Sequence, residues 1–167
     1  MSIVPAGKKA PPFELTGTDD KKYSLRGALA RGPLLAVFFK VSCPTCQFTF
    51  PFVERLYRQF LTAGAAGIQV WGISQDNPQN TQRFAKEWAL TFPLLIDEDP
   101  YETSQEYGLT HVPTFFLITP DGQVEISGDG FSKADLLSIR KSLASLLSVK
   151  PAELFHSGEH VPDFKPG

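Results

Sequence analysis

The sequence predicts an α/β fold in which a mixed central sheet carries helices on both of its faces. Strand-like and helix-like segments alternate through the middle of the chain. The run Leu34–Phe39 is apolar at every position, which is typical of a central strand covered on both sides. A hairpin signal and an amphipathic helix then close the pattern. Since consecutive elements usually pack against one another, this order favours one mixed sheet between two helical layers.

A small hairpin is predicted before the central strand. Residues 13–15 and 22–25 have strand-like patterns, and they flank the polar run 17–20, which has the composition of a turn. Residues 26–30 are expected to form a short helical turn that leads into the central strand.

A long helix is predicted from Pro44 to about Ala63. Its apolar positions recur every four residues, at Phe48, Phe52, Leu56 and Phe60. Pro51 lies inside this helix and is expected to kink it.

The remaining elements are predicted from periodicity and from turn residues. In chain order they are a strand at 68–73, a helix from 77 to about 88, a strand at 92–96, a short helix at 101–107, a hairpin of strands 114–118 and 123–126, and a helix at 133–147.

The last part of the chain is predicted to be an extended arm. We interpret residues 1–149 as one domain and residues 150–167 as the arm, because four residues there interrupt any helix or ladder: Pro151, Gly158, Pro162 and Pro166. The apolar residues Leu154, Phe155 and Phe164 are its expected anchors.

Composition limits the classes of function. The 167 residues are 42% hydrophobic and include 14 Phe, which suits one compact domain with a packed core. The net charge of −2 comes with no basic stripe, so a nucleic-acid partner is not expected. Neither a signal-peptide core nor a membrane span is predicted, which favours a cytoplasmic protein without a membrane partner.

The two cysteines carry the chemical signal. Pro44 suits the first position of a helix, so Cys43 is expected at the helix start, directly after a buried strand. Backbone N–H groups and the positive end of the helix dipole favour a thiolate there. Cys46 lies about one turn further on, close enough to form a disulfide with Cys43. We therefore predict that Cys43 attacks and that Cys46 resolves.

Two other interpretations of the cysteines stay open. Buried cysteines are often inert core residues, although this spacing at a strand-to-helix corner is unusual for that role. One Cys-x-x-Cys is also half of a zinc site, but no second pair follows, and the three histidines lack a clear ligand spacing. The redox interpretation is favoured, with no metal and no cofactor predicted.

Several motifs together resemble a known family. The chain resembles the thioredoxin superfamily in three places, which are residues 37–46, the helix residue Pro51 and the run 112–114. Two further features are more similar to the redoxin branch of this superfamily. One is the opening hairpin at 12–15, and the other is the helix and strand at 77–96, which are inserted before the last hairpin. That branch contains thiol–disulfide oxidoreductases of the TlpA/ResA type and the AhpC/TSA peroxiredoxins. The resemblance covers about residues 10–147.

The resemblance implies a thioredoxin fold and assigns roles to residues. Cys43 would be the exposed nucleophile and Cys46 the resolving thiol. Pro113 would be a cis-proline facing the pair, and the Val112 backbone would be free to pair with a substrate segment. The implied substrate-binding residues are Pro44, Thr45, Val112 and Pro113.

This sequence also departs from the family pattern. Ser42 stands where thioredoxin has Trp, and Val37 stands where thioredoxin has a buried Asp. Lys40 and Pro113 stand where peroxiredoxins have an activating Thr and Arg. Lys40 either stabilises the thiolate or points into solvent, and we favour solvent.

No general base can be identified from the sequence. Glu54 is at best one helical face away from Cys46, and the pattern does not place Glu87 or Asp97.

Three functions follow. The leading prediction is a thiol–disulfide oxidoreductase that acts on a protein or small-molecule disulfide, with a thiol reductant as electron donor. The first alternative is a peroxiredoxin-type peroxidase with an antioxidant role, in which Cys43 attacks peroxide and Cys46 condenses with the sulfenic acid. The second alternative is a metal-handling protein of the same fold, which metal analysis of the reduced protein distinguishes.

Overall fold

The structure is a computed structural model that describes residues 2–167. Seven strands form the main sheet: β1 (Glu14–Gly17), β2 (Lys22–Ser24), β3 (Leu34–Phe39), β4 (Val70–Ser74), β5 (Leu94–Ile96), β6 (Thr114–Ile118) and β7 (Val124–Asp129). A second, two-stranded sheet pairs β8 (Phe131–Ser132) with β9 (Phe164–Lys165). The helices are α1 (Leu25–Leu29), α2 (Pro44–Thr62), α3 (Pro78–Glu87), α4 (Glu102–Glu106) and α5 (Lys133–Leu147).

The main sheet is mixed, as predicted. Its strand order is β2-β1-β5-β4-β3-β6-β7. β3 pairs with β4 and β4 with β5 in parallel, whereas the other pairs, including β3–β6 and the hairpin β6–β7, are antiparallel. The predicted insertion is confirmed as α3 and β5, which precede β6 in the chain.

The central strand β3 divides the core into two halves. All six of its residues are buried, because β4 and β6 cover its edges and packed side chains cover both faces. Leu35, Val37 and Phe39 pack on the side of α2. Their neighbours Leu34, Ala36 and Phe38 pack on the opposite side, with Trp71 and Tyr107. The continuous apolar run therefore reflects burial on both faces.

Helix α2 continues through Pro51, and its apolar stripe is only partly buried. Leu56 and Phe60 are buried, whereas Phe48 and Phe52 are only half-buried. These two lie beside the core face and pack against Phe131, at ring-centroid distances of 5.0 and 5.7 Å. The residues of α2 that do face the core are Cys46, Thr49, Phe50, Val53, Glu54, Leu56 and Phe60.

The arm is mostly irregular, but the expectation that it lacks all regular structure is wrong at β9. Phe164 is also wrong as an anchor, because β9 leaves its side chain 55% exposed. Leu154 is fully buried in the core beside α2, and Phe155 is half-buried against Phe52. The division of the chain into residues 1–149 and 150–167 stays a prediction.

Candidate active site

Cys43 is the N-cap of α2, which begins at Pro44 as predicted. Strand β3 ends at Phe39, and three residues connect it to Cys43. The backbone N–H of Cys46 donates a hydrogen bond to Cys43 Sγ at 3.0 Å, so the sulfur takes the place of a capping oxygen. A donor aimed at sulfur, together with the helix dipole, stabilises negative charge on it.

The two sulfurs lie in different environments, although both cysteines are free thiols. Cys43 is half-buried, whereas the Cys46 side chain is completely buried. Burial raises the pKa of the Cys46 thiol far above its ordinary value, and the nearby Cys43 sulfur and the Asp76 charge raise it further. Cys46 therefore stays protonated at neutral pH while Cys43 is accessible to a small reactant. The predicted difference in exposure is confirmed.

Asp76 is a neighbour of the site that sequence reasoning missed. It follows β4, and β4 lies parallel to β3, so the residues after both strands meet at one edge of the sheet. One carboxylate oxygen accepts a hydrogen bond from Val41 N–H at 2.8 Å. Asp76 thus stabilises the turn that leads to Cys43 and places a negative charge near Cys46. The sequence signal that could have identified Asp76 is its position just after a predicted core strand.

The bond between Val112 and Pro113 is cis, as the family resemblance implies. Pro113 is buried, and Cys43 Sγ lies 3.5 Å from the Val112 carbonyl oxygen. The structure thus brings the loop before β6 next to the cysteines. Val112 and Cys43, which meet here, are 69 residues apart in the chain. A second cis bond, between Asp99 and Pro100, was not predicted.

The arm lies against the Val112 carbonyl, and pairing of the Val112 backbone with a substrate segment stays a prediction. The arm crosses this edge, and its residue Gly167 packs so closely that a side chain there would collide with the Val112 carbonyl. The hydroxyl of Thr45 donates a hydrogen bond of 2.7 Å to the carbonyl of Pro166. Of the four implied substrate-binding residues, Thr45 and Val112 therefore contact the arm, Pro44 is exposed and Pro113 is buried.

The carboxylates considered from sequence lie in other networks. Glu54 accepts hydrogen bonds from Thr91 and from Arg58, and it thereby ties α2 to the loop before β5. Asp97 accepts from the backbone and hydroxyl of Ser104 at the start of α4. Glu87 is exposed at the end of α3. Each of these carboxylates has a structural role or faces solvent.

The side chain of Lys40 is exposed, which confirms the interpretation that it points into solvent. In residues 2–167, no three His, Cys, Asp or Glu side chains come together in an arrangement suited to a metal ion. Across the same residues, none of the helices combines the length and apolar character needed to cross a membrane.

Sequence comparisons show the family of this chain. The AhpC/TSA family profile matches residues 6–127. The chain is 32% identical over 126 residues to the thiol-disulfide oxidoreductase ResA of Bacillus thuringiensis subsp. konkukian, covering 74% of this chain and 70% of that protein.

Solved structures show the same fold. A putative thiol:disulfide interchange protein DsbE from Chlorobium tepidum is 25% identical with a TM-score of 0.73, covering 86% of this chain and 99% of that one. A putative protein disulfide isomerase from Bacteroides thetaiotaomicron has a TM-score of 0.78 at 24% identity, covering 89% and 95% of the two chains. With its thioredoxin-like sheet and its paired cysteines, this chain belongs to the AhpC/TSA family.

Proposed function

We propose that this protein is a thiol–disulfide oxidoreductase in which Cys43 attacks the substrate and Cys46 resolves the intermediate. The observation that carries the proposal is the division between the two sulfurs. Cys43 is partly exposed and accepts a hydrogen bond from Cys46 N–H at 3.0 Å, whereas Cys46 is buried, and this burial raises the pKa of its thiol. The similarity to curated thiol-disulfide oxidoreductases supports the same chemistry.

The reaction proceeds through a mixed disulfide. The Cys43 thiolate attacks one sulfur of the substrate, so that the substrate S–S bond breaks and one substrate thiol leaves with a proton from solvent. Cys46 then loses its proton and attacks the Cys43 sulfur, which releases the second substrate thiol. The two electrons come from the Cys43–Cys46 dithiol, which becomes a disulfide. A thiol reductant restores the dithiol and is the proposed electron donor.

A peroxidase is the second candidate, because the matching family includes peroxiredoxins. Here the Cys43 thiolate attacks one oxygen of the peroxide, the O–O bond breaks, and the other oxygen leaves as water after taking up a proton. The resulting sulfenic acid on Cys43 then condenses with the Cys46 thiol, which releases a second water and forms the disulfide. Lys40 and Pro113 occupy the positions at which the resemblance places the activating Thr and Arg. Activation of peroxide is therefore expected to be weak, and an antioxidant role would require that activation.

The cytoplasmic location also stays a prediction.

Paired assays test the proposal. The reduced protein is mixed with glutathione disulfide in one reaction and with hydrogen peroxide in another, and oxidation of the Cys43–Cys46 pair is followed by intact mass. We expect rapid oxidation by the disulfide and reaction with peroxide near the rate of a free thiol. Oxidation by peroxide that is much faster than oxidation by the disulfide would replace the leading function with the peroxidase.

A further inference from the structure

Residues 164–167, called the strap below, run across the edge of the site where a substrate segment is expected to bind. Pro166 accepts the hydrogen bond from Thr45 at 2.7 Å, and Gly167 packs on the Val112 carbonyl beside Cys43. Both contacted residues belong to the implied substrate-binding set. The chain thus supplies its own extended segment at this edge.

Several interactions hold the strap in this position. β9 pairs with β8, and next to this pairing the backbone N–H of Lys133 donates to the Asp163 carbonyl at 2.9 Å. Gly130 has a φ of 72°, and the strap approaches its backbone so closely that a β-carbon there would lie 2.6 Å from the Lys165 carbonyl oxygen. The Lys165 ammonium also lies 5.0 Å from the centre of the Phe48 ring.

The strap does not bury Cys43 completely. Cys43 stays half-buried with the strap in place, and its neighbours Ser42 and Pro44 are exposed. A shallow polar depression next to Val112 has no strap residue in its lining. It is lined by Lys40, Gln75, Leu109, Thr110, His111 and Val112. A small molecule that contacts only the exposed part of Cys43 does not need the Val112 carbonyl, whereas an extended polypeptide that pairs with this carbonyl would overlap with Gly167.

We propose that the strap selects the substrate by size. A small-molecule disulfide reacts with Cys43 while the strap is in place, and an extended protein segment reacts only after the strap is displaced. This inference rests on the proposed function, and the bonds made and broken are those given there. The cost of displacing the strap is added to the barrier for protein disulfides alone, which makes small disulfides the preferred substrates.

Gly167→Val tests this proposal without changing the cysteines. The new side chain would collide with the Val112 carbonyl, and because a backbone atom does not yield, the strap must move. Gly67→Val is the matched control, since a β-carbon at Gly67 meets no atom within 4 Å. Reduction of glutathione disulfide and of insulin is measured for both variants and for the wild type, with dithiothreitol as reductant. Hydrogen exchange at the Lys133 amide reports strap movement.

We expect Gly167→Val to raise the rate with insulin by about tenfold and to change the rate with glutathione disulfide by less than about twofold. The control should match the wild type with both substrates. An unchanged ratio of the two rates in Gly167→Val would overturn the size selection while leaving the oxidoreductase intact. Wild-type protein that reduces neither disulfide would overturn the proposed function itself, and the inference with it.

Discussion

At the scale of single residues, the two sulfurs differ because they occupy different ends of one helical turn. Cys43 lies at the open start of α2, where backbone N–H groups have no partners within the helix. Cys46 lies within the buried face of the same helix, next to the negative charge of Asp76. The same spacing of two residues therefore leaves one thiol partly exposed and buries the other, which is the division that the proposed roles of attacking and resolving thiol require.

Cys46→Ser should trap a mixed disulfide on Cys43, because attack is intact and intramolecular release is lost. Intact mass of the variant mixed with glutathione disulfide should show one added glutathione. Cys43→Ser should show none and should lose disulfide exchange entirely. Wild-type exchange rates in both variants would show that these cysteines are not the catalytic pair.

Asp76→Asn should lower the pKa of Cys46, because a nearby negative charge that disfavours its thiolate is removed. The amide oxygen of Asn can still accept the hydrogen bond from Val41. The pH profile of product release in a single turnover should therefore move to lower pH. Glu87→Gln, an exposed change at the end of α3, is the control and should leave the profile in place. A profile that moves to higher pH would indicate that Asp76 assists release as a base instead.

At the scale of elements, packing between α2 and the arm explains why the apolar stripe of α2 is only partly buried in the core. The period of four was correct for a helix, but the arm and β8 cover a second face of α2 with Phe131 and Phe155. Arg55 of α2 also donates hydrogen bonds to the Leu154 carbonyl and to Glu159, at 2.9 and 2.8 Å. Both apolar and polar contacts thus hold the arm against α2.

Leu154→Ala should destabilise the protein by about 2–5 kcal/mol, because it removes a fully buried side chain from the core. Phe164→Ala, in the same arm, should change the free energy of unfolding by less than about 0.5 kcal/mol, since its side chain is largely exposed. Urea unfolding of both variants measures the difference. Equal losses of stability would contradict this assignment of the anchor.

Gly72→Ala should cost about 1–3 kcal/mol of stability through overpacking. A β-carbon at this position in β4 would lie 2.5 Å from Leu94 Cδ2 and 3.2 Å from Phe39 Cε1. Gly67→Ala introduces the same methyl group into open space and should be close to neutral. Thermal or urea unfolding compares the two, and a neutral Gly72→Ala would mean that the core has room for the methyl group.

At the scale of the whole molecule, the arm joins elements that are far apart in the chain. It reaches from α5 past α2 to the loop before β6, and it contacts the active-site edge through the strap.

Acid should weaken the attachment of the arm to α2. The hydrogen bonds from Arg55 and from the His156 backbone lower the pKa of Glu159 from 4.5 to about 2. A depressed folded-state pKa stabilises the folded arm above about pH 4.5, and this stabilisation is lost as the pH falls towards 2.

Glu159→Gln should therefore weaken the arm at neutral pH and reduce its sensitivity to acid. Hydrogen exchange of residues 150–167, measured between pH 2 and 6, should show a smaller pH dependence in the variant after correction for the intrinsic rate. Glu153→Gln changes an exposed residue of the same arm and serves as the control. An unchanged acid dependence in Glu159→Gln would show that this ion pair does not hold the arm.

The sequence by itself determined the α/β class, the buried central strand and the placement of Cys43 and Cys46 at a strand-to-helix corner. These features depend on residues that are close in the chain, such as the apolar run of β3 and Pro44 at the start of α2, so local patterns suffice to predict them. Tertiary structure decided the rest. Asp76 meets the site because two parallel strands end together, and Pro166 reaches Thr45 across 121 positions. Contacts of that range depend on how whole elements pack, which no local pattern encodes.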